Sequence, residues 1–470
     1  TCQRRDPNPL VYRLIKLSTI ILVLLLATDL RAQSDNPWRL SNALKRSDTF
    51  VLTGTHRSRY EALDGQFRAG GIGKDDIFVT RTTLKAQLNV NRSQVVIELM
   101  DSRQHLADGG SPLNSTIVNP LELLQAYIAF KIPNSGRDVI QFKLGRHTMD
   151  LGSRRLVARN LYRNTINNFT GINGTWKSSS GHQIRAFYVL PVTRLPSARV
   201  RVVKNEIETD KEDFDRQFWG IFGERSSLFS NVTGHGYLFS LFERDNATRN
   251  TRNRNLITAG LHLFRRPGKG HVEFEFESVF QTGRSRASAA ATDVTDLDHF
   301  AFLHHLLLGY TLDIPSALRL VVQFDYASGD SDPADGKNNR YDTLFGARRF
   351  EFGPTGIYGA FARSNLVSPG FRIMFNPKQR VNVMAAHRIY WLASSKDAWT
   401  TGGVRDVTGN SGSYLGNQQE IRIRWDALPG NLRLESGVAY LIAGGFLKNA
   451  PNTSGEGNAT YGYLQAVLMF

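Results

Sequence analysis

From Thr49 to the last residue the chain keeps a two-residue rhythm of apolar and polar positions. Phe78, Thr80, Thr82, Leu84, Ala86, Leu88 and Val90 share one face of a strand, and Arg81, Thr83, Lys85, Gln87 and Asn89 share the other, because successive strand residues point to opposite faces. The same reading sets Val272, Phe274, Phe276 and Phe280 against Glu273, Glu275, Glu277 and Gln281, and Leu318, Leu320, Val322, Phe324 and Tyr326 against Arg319, Gln323 and Asp325. Leu124, Ala126, Ile128, Phe130 and Ile132 oppose Gln125 and Lys131. Alternation alone fits a water-soluble sandwich as well as a membrane barrel.

The spacing between strands separates these two. Short polar or Pro/Gly turns fall near 91–93, 133–137, 178–181, 226–230, 266–270, 313–316, 376–379 and 427–431. Between them lie nine longer segments, near 65–75, 102–119, 148–164, 193–213, 245–254, 282–298, 328–368, 394–416 and 444–458. Short turns at one end and long loops at the other are the habit of outer-membrane barrels. Eight turns and nine loops predict an all-β, transmembrane, antiparallel up-and-down barrel of eighteen strands over 49–470. Sixteen is the alternative count, because the strands around 172–176 and 218–222 alternate least clearly. A barrel of either size has room for an aqueous channel.

Both ends of the chain fit export to an outer membrane. Residues 1–32 read as a signal peptide, with Arg4, Arg5, Arg13 and Lys16 ahead of an apolar run from Leu17 to Ala27, too short for a membrane-spanning helix. Residues 33–48 then form a short periplasmic lead. At the other end Leu464, Ala466, Leu468 and Phe470 share one face, and a last strand ending on Phe470 is the signal expected by the barrel-assembly machinery. The only cysteine, Cys2, leaves with the signal peptide, which excludes disulfides and thiol chemistry from the mature chain. Five basic and two acidic residues leave with it, so the formal charge falls by three from +16 to +13. Such a field suits lipopolysaccharide contact at the rim or attraction of an anionic solute to a basic lumen.

Four longer stretches carry a family resemblance. "HRSRYEALDGQFRAG" from His56, "GRHTMDLGSRRLVARN" from Gly145, "DTLFGARRFEFGPTGIYGAFARSN" from Asp342 and "GGFLKNAP" from Gly444 resemble the alginate export porins. The resemblance implies an eighteen-stranded, monomeric outer-membrane porin, without cofactor, that passes an extended anionic sugar chain along basic lumen groups. It also implies outer-membrane lipid, lipopolysaccharide and periplasmic export proteins as partners. A general anion-selective porin for small solutes is the alternative, and a barrel-embedded lipid hydrolase a further one.

On the lumen parity the basic candidates are Arg81, Lys85, Lys143, Arg319, Arg422, Arg424 and Arg433. Arg422 and Arg424 alternate with Ile421, Ile423 and Trp425, so two guanidiniums project inward about 7 Å apart, each with a planar fork suited to carboxylate. Structural pairing with Glu420, Glu435 and the Glu273, Glu275, Glu277 ladder is the competing role. Arg146 follows the Gly-Arg step of the resemblance but has the parity of Phe142 and Leu144, so only a bulge at Gly145 or the end of the membrane span would turn it inward. Arg154, Arg155, Arg159 and Arg163 read as an external loop that contacts lipopolysaccharide in preference to recruiting polyanion. Asp330, Asp332 and Asp335 cluster near Gly336, where carboxylates can hold Ca²⁺, although ordinary acidic turn chemistry fits the stretch better. His304 and His305 point to opposite faces and cannot share one ion. No H-E-x-x-H, G-x-S-x-G or phosphate loop is present, so no enzyme is expected, and no nucleic-acid module either.

Overall fold

The computed structural model describes residues 37–43, 49–71, 73–107, 110–133, 138–229, 231–455 and 457–470. The expected signal peptide, and with it the boundary at residue 32, lies outside them. So does most of the turn expected at 133–137.

Eighteen strands form the wall. They are β1 (Phe50–Asp64), β2 (Lys74–Val90), β3 (Ser93–His105), β4 (Asn119–Pro133), β5 (Val139–His147) and β6 (Phe169–Lys177). Next come β7 (Gln183–Pro191), β8 (Arg216–Phe229), β9 (Val232–Glu243), β10 (Asn255–Arg265), β11 (Val272–Ser285) and β12 (Leu297–Thr311). The wall ends with β13 (Arg319–Ala327), β14 (Leu366–Lys378), β15 (Val381–Trp391), β16 (Tyr414–Leu428), β17 (Leu432–Ala443) and β18 (Ala459–Met469). Each strand pairs antiparallel with the next, and β18 returns to β1, so no edge is left open. Eight short connections alternate with nine long ones, as the spacing predicts, and the two weakly alternating segments are both strands of the wall, β6 and β8. The long loops used below are L2 (106–118), L3 (148–168), L4 (192–215) and L7 (328–365).

The faces follow the alternation. Leu84, Leu88, Phe130, Phe142, Phe280, Leu306, Val322 and Ile421 stand exposed on the outside, the belt that faces lipid, while Glu98, Gln125, Glu273, Glu277, Asp325 and Glu435 are buried inside. His304 points outward to Ser278 and His305 inward to Asp325, the split expected of adjacent residues.

Phe470 seals the ring. Its backbone N–H donates to Gly54 O at 3.0 Å and its carbonyl accepts from Gly54 N at 2.6 Å. The phenyl ring lies where a Gly54 Cβ would stand. We expect Gly54→Val to displace that ring and cost about 1–3 kcal/mol, read as a lower thermal transition and a weaker heat-modifiable band on a denaturing gel. In a Phe470→Ala background the same change should cost much less; equal costs in both backgrounds would show that ring and glycine are uncoupled.

L3 and L7 turn into the barrel and pair with each other. Phe345 N–H donates to Leu156 O at 2.8 Å and Ala158 N–H to Phe345 O at 3.2 Å. Met149, Leu151, Leu156 and Val157 of L3 pack with Tyr341 and Phe345 of L7 against Phe169, Phe187, Phe218 and Phe239 of the wall. Ile357, Tyr358 and Phe361 of L7 pack with Trp399, Tyr461 and Tyr463 on the other side. Apolar residues that a barrel interior would otherwise leave in water are the force that draws these loops in. This corrects the reading of 154–163 as an outer loop against lipopolysaccharide: the arginines there belong to the interior.

Candidate functional site

L3 crosses the interior between nearly opposite strands. On one side Arg155 is clamped by three carboxylates, with Nη1 2.6 Å from both Glu275 and Glu277 of β11 and Nη2 2.7 Å from Glu351 of L7. On the other side the wall grips the loop by its carbonyls. Arg57 donates to Leu161 O at 3.0 Å and Tyr162 O at 2.8 Å, Arg59 to Tyr162 O at 2.7 Å, and Arg81 to Leu161 O at 3.0 Å and Arg163 O at 2.9 Å. A carbonyl satisfies a guanidinium donor without cancelling its charge, so Arg57 and Arg81 fix the loop and leave their positive field in place.

Below L3 and L7, reaching to the short-turn ends of the strands at Thr53 and Met469, lies a cavity of about 890 Å³. Twelve basic side chains border it against four acidic ones, Glu98, Asp150, Glu420 and Glu435. The alternation that places Arg57, Arg59 and Glu61 on one face of β1 was legible at i, i+2 spacing. So was Arg372, between outward Phe371 and Ile373, yet neither Arg57, Arg59 nor Arg372 figures among the predicted lumen cations. Arg349 comes from L7 and is positioned by its 2.8 Å ion pair with Glu420, a partner no local pattern announces. Arg39, ahead of the barrel, reaches the cavity mouth and donates to Gly430 O at 3.0 Å.

Of the predicted cations, Arg81, Lys85, Arg422, Arg424 and Arg433 border this cavity. Arg424 pairs with Glu435 at 2.8 Å and Arg433 with Asp426 at 2.7 Å, while Arg422, among the described residues, donates to the neutral Asn382 Oδ1 at 3.2 Å and makes no ion pair. Structural pairing and surplus charge therefore coexist on adjacent residues. Lys143 lies 4.9 Å from the ring centroid of Tyr127, away from this cavity, and Arg319 is held by Glu273 at 2.5 Å beside the 266–271 turn.

Arg146 is a correction. The β4–β5 ladder runs through Gly145 without a register shift, so Arg146 keeps the outward parity of Leu144 at the loop end of β5. It is held there by Glu122 at 2.8 Å and by Glu212 of L4 at 2.5 Å, and does not border the lumen cavity. Asp332 and Asp335 accept the turn N–H groups of Ala334 and Lys337, which is ordinary turn chemistry, whereas the Asp330 backbone N–H donates to Asp397 of a different loop. The closest set of metal-type ligands among the described residues is instead His262, Glu275 and Glu277, whose donor atoms lie within 4.8 Å of one another. Arg155 already supplies a cation to both carboxylates.

In likeness to solved structures, the chain matches Pseudomonas aeruginosa OccK8 (OprE) with a TM-score of 0.56 and 12% identity, covering 90% of this chain and 98% of that one. It matches Pseudomonas aeruginosa OccD3 (OpdP) at 0.54 and 12%, over 90% and 91%, and OpdK of the same organism, solved with vanillate, at 0.54 and 12%, over 89% and 98%. At such identity the likeness concerns the barrel fold. No curated protein matches the sequence. The family model described as alginate export matches residues 49–459, nearly the whole wall. With that match, the closed eighteen-strand wall and its lipid-facing belt, the chain belongs to the alginate export family and is a porin-type β-barrel of the bacterial outer membrane.

Proposed function

We propose that this barrel passes an anionic, alginate-like oligosaccharide or polysaccharide passively through its lumen, as a monomer and without a cofactor. The observation that carries the reading is the border of the large cavity, where cations outnumber carboxylates three to one and several, such as Arg57, Arg81 and Arg422, are satisfied by neutral oxygens. A uronate carboxylate entering this field meets guanidiniums whose charge is still uncompensated. Many such sites in series lower the barrier to entry without holding the chain at any one of them. Family and fold are those of channels, and no step of this passage requires a reaction.

The test is ion selectivity of the refolded protein in a planar bilayer, before and after adding polyuronate. Anion-selective steps blocked by polyuronate are expected. Arg422→Gln with Arg424→Gln should lower the anion preference about ten- to thirtyfold, since each of the two charges near the path is worth up to about 1 kcal/mol in a water-like medium. Anion selectivity with no response to polyuronate would favour the small-solute porin instead.

A further inference from the structure

On the long-loop side of L3 a second cavity of about 340 Å³ is enclosed by L2, L3, L4 and L7. Five guanidiniums border it, Arg163, Arg194, Arg216, Arg348 and Arg363, and no carboxylate does. Two of the five have an acid elsewhere: Arg216 lies 3.6 Å from Glu243, and Arg363 pairs with Glu351. The other three make no ion pair among the described residues, and Asp210, the acid whose field reaches Arg194, is engaged by Asn119 and the Leu195 N–H. Arg163 and Arg194, from different loops, converge on a single neutral acceptor, Asn167 Oδ1, at 2.5 and 2.8 Å. The Arg348 side chain borders the cavity with no hydrogen-bond or ion-pair partner among the described residues.

This arrangement is costly as it stands. A guanidinium does not shed its proton to escape burial, so repulsion among three of them has to be met by a counter-charge. Burial pushes Arg348 down to about 10, and burial together with neighbouring Arg194 and Arg348 pushes Arg163 well below its usual value. Other buried arginines of the interior have either found an acid, as Arg155 has at Glu275, Glu277 and Glu351 and Arg254 at Glu243 and Asp342, or are held by converging carbonyls, as Arg57 and Arg81 are. Here no carboxylate among the described residues borders the cavity, and an enclosed, polar volume stands where one would sit.

We propose that this chamber is a binding site for a small oxyanion, a carboxylate or phosphate seated between Arg163, Arg194 and Arg348, which ties L3, L4 and L7 together. Planar guanidinium forks from three directions match two or three oxygens of such a group. Asn160 borders both this chamber and the large cavity, so the site adjoins the proposed path of the sugar. It does not depend on that path, because a small ion and three loops suffice for it.

The experiment is thermal unfolding of the refolded full chain in detergent at constant ionic strength, titrated with inorganic phosphate or with glucuronate against chloride. A saturable rise of about 1–3 °C is expected for at least one of them, and which one responds identifies the source of the oxyanion. Arg348→Gln should abolish the rise and, in chloride, leave the protein at least as stable as the parent, since it relieves a repulsion. Arg422→Gln with Arg424→Gln should keep the rise, which separates this site from the lumen below. Absence of a saturable response to both anions, or an equal response in Arg348→Gln, would overturn the proposal, even if polyuronate still blocked the channel.

Discussion

Replacing Arg155 by Met should lower the stability of the folded barrel by about 3–5 kcal/mol and convert its single-channel current to larger, noisier steps. One guanidinium serves three acids there, and Glu277 and Glu351 are both buried. Removing it strands the Glu277 charge in a poorly solvated interior, while Glu351 keeps Arg363 and Glu275 keeps His262, and a stranded charge costs more than the net worth of the pair it breaks. Tyr237 and Ser153 still donate to Glu277 Oε1, at 2.7 and 3.0 Å, but neither brings a positive charge. The loop stays gripped at its far end by Arg57, Arg59 and Arg81 while its near end comes free, hence a noisy lumen in a barrel that still folds. Arg155→Lys should fall between, because a compact ammonium cannot span three carboxylates. Adding Glu277→Gln to Arg155→Met should restore part of the lost stability by removing one stranded charge. If the thermal transition and the conductance of Arg155→Met match the parent, L3 is held by its apolar packing alone.

What could be read in the chain beforehand divides along physical lines. The wall was legible because a strand between lipid and water leaves one mark per residue, and the turns and loops follow from where that mark stops. Even β6 and β8, whose alternation is diluted by Gly171, Gly174, Gly220 and Gly223, join the wall, since ladder hydrogen bonds depend on the backbone and not on the side-chain pattern. Lumen cations on strands were likewise readable by parity, and Arg81, Lys85, Arg422, Arg424 and Arg433 lie on the cavity. Arg146 failed because family-like spacing was set against parity, and parity decided its place. The inward fold of L3 and L7 was not legible. Its signals are scattered: Met149, Leu151, Tyr341 and Phe345 meet only in three dimensions, and the acids that receive Arg155 stand 120 or more residues away. An arginine-rich loop therefore looks external until its distant carboxylates are placed.

Asp342 offers the second large effect, and one with a pH signature. It begins the inward course of L7, accepting from Arg254 at 2.9 and 3.0 Å and from the Leu344 N–H at 2.9 Å, with Arg252 at 3.5 Å. Its own backbone is fixed to β11, the N–H donating to Gln281 Oε1 at 2.9 Å and the carbonyl accepting from Gln281 Nε2 at 3.0 Å. Burial works against the charged form, yet the Arg254 and Arg252 charges prevail and hold the carboxyl at about 2. A carboxyl with its pKa lowered by folding adds stability that is complete above its unfolded value and lost as the pH falls through its folded value. With roughly 3.9 as the unfolded value, that contribution is about 2–3 kcal/mol at neutral pH. Asp342→Asn should therefore lower the thermal transition at pH 7, and the gap between variant and parent should close as the pH falls from about 4 to 2. The difference between the two curves isolates this group from the other acids of the barrel. A gap that persists unchanged at pH 2 would assign the loss to disturbed packing of L7, whereas a closing gap would show that charge pairing with Arg252 and Arg254, just ahead of β10, is what keeps this loop inside the lumen.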